Sequence, residues 1–192
     1  MESARQESET LAAARQGDPQ AFGRLVQPLL DPGYHLALRA LGHREEAEDA
    51  VQAALYKSWR ALPRFRGDAR FSTWFYRILW RECSDRLRRP PPHPVDPEAT
   101  PGDGAHDPER RLEELERQSL VARVLERLPP PYRAALTLFY LEEFSVTEMA
   151  EILQMPVGTV KTHLFRARAA FKAELLKEQA AREGGGARGS AP

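Results

Sequence analysis

Residues 145–168, SVTEMAEILQMPVGTVKTHLFRAR, read as two short helices joined by a tight turn. Ser145 suits a helix N-cap, its hydroxyl accepting from the backbone N–H of Thr147 or Glu148, and Glu148 completes an S-x-x-E capping box. Val146, Met149, Ala150 and Leu153 repeat at helical spacing and form the buried face of the first helix. Gln154-Met155 makes the turn, and Pro156 suits the start of the next helix, where its missing N–H would have no partner anyway. In the second helix Val160, Leu164, Ala167 and Phe171 face inward. At about 100° per residue, Gly158, Thr159, Thr162 and Arg166 point outward, with Lys161 and His163 on the flanks. An outward face that is small, polar and cationic fits the major groove of DNA, where Arg and Lys favour guanine and hydroxyls suit several base edges. Between Leu153 and Ala173 stand four Lys or Arg and no Asp or Glu. An ordinary solvated face of a helix pair mixes signs, so the pattern favours nucleic acid.

The 192-residue chain has a net charge of zero, which argues against a nucleic-acid partner until the distribution is read. Residues 60–89 carry nine basic and three acidic groups, and residues 159–192 carry seven and three. Acidic stretches lie before and between them. Phosphate responds to the local field rather than the total, so two basic segments imply two contacts with nucleic acid.

A break separates them. Residues 90–108 hold seven prolines and two glycines and no helical period. Proline fixes φ and lacks a donor, so residues 90–109 are expected to form an extended, flexible linker. It divides an N-terminal domain, 10–89, from a C-terminal one, 110–178, and the Gly-rich residues 179–192 are expected to be a disordered tail. Both domains read as helical. Phe22, Leu25, Val26 and Leu29 make one apolar stripe, Ala47, Ala50, Val51, Ala54 and Leu55 a second, and Trp74, Phe75, Ile78 and Leu79 a third. Tyr132, Ala135, Leu136, Phe139 and Tyr140 make a fourth. Asp31-Pro32-Gly33, Leu41-Gly42, Arg66-Gly67-Asp68 and Pro129-Pro130-Pro131 are expected to break helices between the stripes. The expected fold class is all-α: two small helical domains on a Pro-rich linker, the second a helix-turn-helix.

The N-terminal domain carries its own contact surface. RALPRFRGDARFSTWFYRILWRECSDRLRR, residues 60–89, interleaves arginines with aromatics. Basic groups hold a phosphate backbone and aromatic faces accept unstacked bases, a combination suited to single-stranded or melted DNA. Trp74 and Phe75 lie on the apolar stripe and read mainly as core. Trp80 shares a face with Arg77, Arg81, Ser84 and Arg88, so DNA contact and packing both remain open for it. The loop Arg64-Phe65-Arg66-Gly67-Asp68-Ala69-Arg70 could hold a flipped base, since glycine permits close backbone approach. Upstream, Asp49 and Gln52 stand one helical turn apart, off the apolar stripe, with Glu45, Glu46 and Glu48 beside them. This acidic face is either a solvated face favoured by the helix dipole or a dock for a basic protein partner.

GHREEAEDAVQ, RFRGDARFSTWFYRI and LPPPYRAALTLFYLEEFSVTEMAEILQMPVGTVKTHLFRAR together resemble the group IV, or extracytoplasmic-function (ECF), sigma factors of bacterial RNA polymerase, in the sigma-70 family. The resemblance spans residues 18–89 and 118–176. It implies that Asp49, Gln52, Glu48 and Glu45 dock on the β′ clamp helices of core RNA polymerase. It implies that Arg64, Phe65, Arg66, Arg70, Arg77, Trp80, Arg81 and Arg88 melt and read the −10 element, and that Gly158, Thr159, Lys161, Thr162, His163 and Arg166 read the −35 element of promoter DNA. An anti-sigma factor is a further implied partner. The chain departs from the usual pattern at Leu79-Trp80-Arg81, at Gln154 where glycine is common, at Pro156 where serine is, and at His163 where arginine is frequent.

No run approaches the roughly 20 apolar residues of a membrane span, and the first residues show no apolar leader core, so the expected location is the cytoplasm, without membrane insertion. Cys83 is the single cysteine, and the five histidines show no ligand spacing, so no metal and no cofactor are expected. No catalytic residues are expected either. Two rivals stand beside the sigma-factor reading. A stand-alone helix-turn-helix regulator would bind a palindrome as a dimer, but leaves residues 43–89 without a role. An enzyme using Cys83 as nucleophile would draw on nearby arginines to lower the thiol pKa, but lacks a histidine partner.

Overall fold

The computed structural model describes residues 2–88 and 120–186. All regular structure among them is helical. In order these are α1 (Glu2–Arg15), α2 (Pro19–Leu41), α3 (Arg44–Ala61), a 3-10 turn (Leu62–Arg64), α4 (Phe71–Leu87), α5 (residues 120–126), α6 (Pro130–Tyr140), α7 (Val146–Leu153) and α8 (Val157–Gly186). The expected linker, 90–109, lies outside the described residues.

The caps follow the chemistry of the sequence. Asp18 caps α2, accepting from the N–H of Gln20 at 2.8 Å and of Ala21 at 3.2 Å, with Pro19 at the first helical position. Gly42 ends the same helix in the left-handed region, at φ 78°, its N–H closing on the Leu38 carbonyl. A side chain there would be strained, which is why a glycine stops the helix. The expected break at Asp31-Pro32-Gly33 does not occur. Helix α2 runs through it with Pro28 and Pro32 inside. Leu36, Ala37 and Ala40 prolong the buried stripe, and Gly33 lets α2 close on α4: a Cβ there would stand 3.1 Å from Leu79 Cδ2. Burial on both sides of the prolines outweighs the lost hydrogen bonds. Helix α1, which the stripe pattern did not reveal, packs on α2 through Ala14 and the half-buried Leu11 and Ala13.

Helix α4 is the axis of the N-terminal half. It is covered by α2, α3 and α7, and Phe71, Thr73, Trp74, Phe75, Tyr76, Leu79, Trp80, Glu82 and Cys83 are all buried. One buried carboxylate ties it to α3. Glu82 accepts from Lys57 at 2.5 Å and from Arg86 at 3.3 Å, and Arg86 also reaches Glu46 at 3.3 Å. Pairing from both sides offsets the cost of taking a charge out of water.

The C-terminal half is the expected helix-turn-helix. Ser145 and Glu148 form a complete capping box: the Glu148 N–H donates to Ser145 Oγ at 3.3 Å, and the Ser145 N–H donates to Glu148 Oε2 at 2.9 Å. Met149, Ile152 and Leu153 of α7 and Val160, Leu164 and Ala167 of α8 are buried. Helix α6 is buried over more of its girth than its stripe implied, because Leu136 joins a cluster with Leu125, Leu128 and Ala167 while Ala134, Ala135 and Leu138 join the core shared with α2. Tyr140, on the expected stripe, is instead exposed. Helix α8 continues to Gly186, past the expected domain end at 178. Gln179, Ala180, Ala181, Arg182 and Glu183 favour helix, so the helix takes in the first part of the expected tail, and residues 187–192 lie outside the described residues.

The turn of the helix-turn-helix contains a strained residue. Gln154 caps α7 at φ 55°, ψ 44°, a left-handed conformation that costs a side-chain-bearing residue about 1–2 kcal/mol. Gln154→Gly should therefore stabilise the chain by about 1 kcal/mol, seen as a rise in melting temperature of about 2–4 °C.

Candidate nucleic-acid interface

Helix α8 presents the first basic face. Gly158, Lys161, Thr162 and Arg166 are exposed and Thr159 is half-exposed. The Thr162 hydroxyl donates to the Gly158 carbonyl at 2.9 Å, which holds that side chain close to the helix. His163 is placed differently from the rest. Its ring meets Tyr132 edge-on at 5.8 Å, and its Nδ1 is buried with no hydrogen-bond partner among the described residues. It is turned toward α6 rather than fully outward. Arg168 is also drawn aside, its guanidinium lying 5.4 Å from the Phe139 ring and 5.6 Å from the Tyr140 ring. Lys161, Arg166 and Lys172 remain as the outward cations of this stretch.

The second basic face lies around α4. Arg64, Arg66, Arg70, Arg81 and Arg88 are exposed and Arg77 is half-exposed. Arg88 is held by Asp85 at 2.9 Å. Gly67 turns the loop at φ 81°, with open space where a Cβ would be. The two aromatics expected here are not presented to solvent. Phe65 is 6% exposed and stacks on Trp74 at 4.8 Å; Trp80 is 6% exposed, inside the core. The open side of α4 is left to Arg77, Arg81 and Arg88, and the Trp80 ring is turned into the core. Of the two readings open for Trp80, this structure has it packed.

The acidic face stands on α3. Asp49 and Gln52 are exposed one turn apart, and Glu45 and Glu48 are exposed beside them. Glu48 accepts from Arg44 at 2.9 Å. Tyr56, 62% exposed, continues the row one turn beyond Gln52, with Arg60 hydrogen-bonded to its hydroxyl at 3.2 Å. Its i+4 spacing from Gln52 was visible in the sequence, but as an aromatic it was not distinguished from core.

The two halves meet along α4. The Tyr76 hydroxyl donates to Glu142 at 3.1 Å, the Tyr76 ring meets Phe144 at 5.1 Å, and Arg70 approaches Glu148 at 3.7 Å. Tyr76 is 1% exposed. Burial pushes the Tyr76 hydroxyl far above its ordinary range, helped by Glu142. Burial also raises Glu142 despite the Tyr76 hydrogen bond and nearby Arg39, and burial lowers Arg39. Glu148 moves the other way, lowered mainly by the Ser145 hydroxyl. Arg70, one of the expected −10 contacts, thus faces an acid of the helix-turn-helix. Among the described residues the outward face of α8 stays clear, because α8 packs on α6 and α7. Cys83 is fully buried and its thiol is pushed up to about 12, chiefly by burial. It stays protonated at neutral pH and is no nucleophile.

The model for Sigma-70 region 2 matches residues 25–90 and that for Sigma-70 region 4 matches residues 111–171. The chain is 36% identical to the RNA polymerase sigma-H factor of Pseudomonas aeruginosa over 181 residues, covering 88% of this chain and 94% of that one. It is 34% identical to the ECF RNA polymerase sigma factor SigW of Bacillus subtilis, covering 84% and 92%, and 38% identical to the ECF RNA polymerase sigma-E factor of Escherichia coli, covering 82% and 87%. Among solved structures, CnrH in complex with the cytosolic domain of CnrY superposes with a TM-score of 0.64 at 28% identity, over 88% of this chain and 97% of that one. The sigma factor RpoE of Bartonella quintana, solved with the anti-sigma factor NepR, gives 0.61 at 23%, over 81% and 96%, a likeness of fold.

The two acids beside this contact should titrate with opposite slopes, Glu142 through its burial and Glu148 chiefly through its own capping box with Ser145. Glu142 has a raised folded-state pKa, so its contribution is full below 4.5 and fades as the pH rises through the folded value. Glu148 has a depressed one, so its contribution is full above 4.5 and is lost as the pH falls through the folded value. In urea unfolding from about pH 3 to about pH 7, the stability difference between wild type and Glu142→Gln should favour wild type increasingly toward acid. The difference between wild type and Glu148→Gln should favour wild type fully above 4.5 and shrink as the pH falls below it.

Proposed function

Because the chain belongs to the extracytoplasmic-function RNA polymerase sigma factors of the sigma-70 family, we propose that it binds bacterial core RNA polymerase and directs promoter-specific initiation with two separate grips on DNA. Residues 10–89 form the domain that docks on polymerase and melts and reads the −10 element. Residues 110–178 form the domain that reads the −35 element. Asp49 and Gln52, with Glu45 and Glu48 beside them, meet the β′ clamp helices. Lys161 and Arg166 meet phosphate and base edges of the −35 duplex, with Gly158, Thr159 and Thr162 at the groove floor and His163 at its margin. Arg64, Arg66, Arg70, Arg77, Arg81 and Arg88 hold the −10 strand, while Phe65 and Trp80 support that surface from beneath. Catalysis is left to the polymerase.

The observation that carries this reading is the coexistence, on one chain, of an intact capped helix-turn-helix with a clear cationic face on α8 and an exposed Asp49/Gln52 row on a different module. A stand-alone regulator uses the first and has no use for the second. A protein partner that holds the factor in check is also proposed, since CnrH was solved with the cytosolic domain of CnrY.

This function requires the halves to separate. The −35 and −10 elements lie about 25 base pairs apart by their numbering, or about 85 Å at about 3.4 Å per step. A compact chain of this size is roughly 40 Å across. The contact of Tyr76 with Glu142 and Phe144 therefore belongs to the free factor and opens on the promoter.

Run-off transcription with purified core polymerase on a genomic promoter library tests the function: transcripts sharing a −35/−10 pattern should appear only when the protein is added. No stimulation, with tight duplex binding by the protein alone, would favour the stand-alone regulator. Replacing Asp49 and Gln52 together by alanine should lower core affinity at least about tenfold, or about 1.4 kcal/mol, with an unchanged melting curve. Lys161→Ala should weaken −35 binding across sequences and reduce the slope of log affinity against log salt by about 1.

A further inference from the structure

Phe165 is out of place as a core residue. It is 73% exposed, the highest value among the large hydrophobic side chains described. It stands seven residues after Gly158, three after Thr162 and four before Ala169, so these four share one line along the outward face of α8. Its neighbours on that line are small: Gly158 has no Cβ, Thr162 is folded back onto its own helix at 2.9 Å, and Ala169 is a methyl group. Lys161, Arg166 and Lys172 flank the line and are exposed. The inward side chains Val160, Leu164 and Ala167 already fill the contact with α6 and α7. Leu176, also exposed, is on the same line but three turns further along, so Phe165 is the apolar knob of the stretch that Lys161, Arg166 and Lys172 flank.

We propose that Phe165 reads the 5-methyl group of a thymine in the upstream duplex, a specificity contact that rests on the −35 reading above. The small residues let the helix approach the groove floor, and the cations hold the backbones on either side. In the major groove the apolar feature that distinguishes one base from the others is the thymine methyl, and an aromatic ring is one of the groups that contacts it. Cytosine, lacking that methyl, would be discriminated against at the same position. Phe165 also loses nothing by being replaced in the free protein, since it supports no core.

The test uses the full chain assembled with core polymerase and a promoter duplex recovered by run-off selection. Each thymidine of the upstream element is replaced in turn by deoxyuridine, which removes only the methyl. At one position the substitution should weaken binding about three- to fivefold for wild type, the scale of one buried methyl group, and should leave Phe165→Ala unaffected. Phe165→Ala should itself bind the thymidine duplex at least about three- to fivefold more weakly, with a melting curve matching wild type, and Phe165→Leu should restore part of both the affinity and the sensitivity to the methyl. The proposal is overturned if Phe165→Ala binds the thymidine duplex as tightly as wild type, the result expected if Phe165 served a protein partner. It is equally overturned if the variant remains as sensitive as wild type to deoxyuridine at every position. Failure of the promoter reading itself looks different: wild-type holoenzyme would show no preference for the selected duplex, and Lys161→Ala would change nothing.

Discussion

Everything in the arrangement of this chain turns on how α4 is buried. Its aromatics and Leu79 meet α2 and α3, its one buried carboxylate is neutralised by Lys57 and Arg86, and Tyr76 is closed over by Glu142 and Phe144 of the other half. A helix with so many large side chains cannot leave a side to water without losing on the order of 1.5–3 kcal/mol for each one exposed. The helix-turn-helix supplies the cover for one side. In doing so it brings Glu148 against Arg70, so the same packing that completes the core also engages a cation that the proposed function assigns to DNA.

That contact is polar where it could have been greasy. Glu142 and Arg39 are each shifted by burial in the direction that disfavours their charge, and Tyr76 is shifted the same way. A contact of this kind is specific in register and modest in net strength, because desolvation cancels much of the attraction. It suits two modules that part on the promoter, as the proposed function requires. By contrast, the Lys57–Glu82–Arg86–Glu46 chain joins helices of one module, and it keeps the α3 row of Asp49 and Gln52 at a fixed angle to the arginines of α4.

Much of this was legible in the residues. The capping box at Ser145/Glu148, the turn at Gln154, the stripes of α3 and α7 and the stop at Gly42 all follow from local rules that depend on a few neighbouring side chains. The exposure of Gly158, Lys161, Thr162 and Arg166 on α8 followed from periodicity. What was not legible depended on partners far along the chain. Pro32 reads as a breaker until Gly33 is seen against Leu79. Trp80 sits among arginines in sequence and in the core in space, because three helices surround α4. His163 lies at the right angle for the groove but turns toward Tyr132. Phe165 went unread for a related reason: Leu164, Phe165 and Phe171 look alike as letters, and only exposure separates the one that faces outward.

The central claim is that one chain holds two grips that are packed together when free and apart when working. The direct measurement is the distance between a label on α2 and a label on α8, introduced as Gln20→Cys and Ala173→Cys in a Cys83→Ala background, with the free protein and with the polymerase–promoter complex. The account predicts a single short distance, within roughly 40 Å, for the free protein, lengthening on assembly toward the separation of the two promoter elements. The same short distance in the transcribing complex would contradict it.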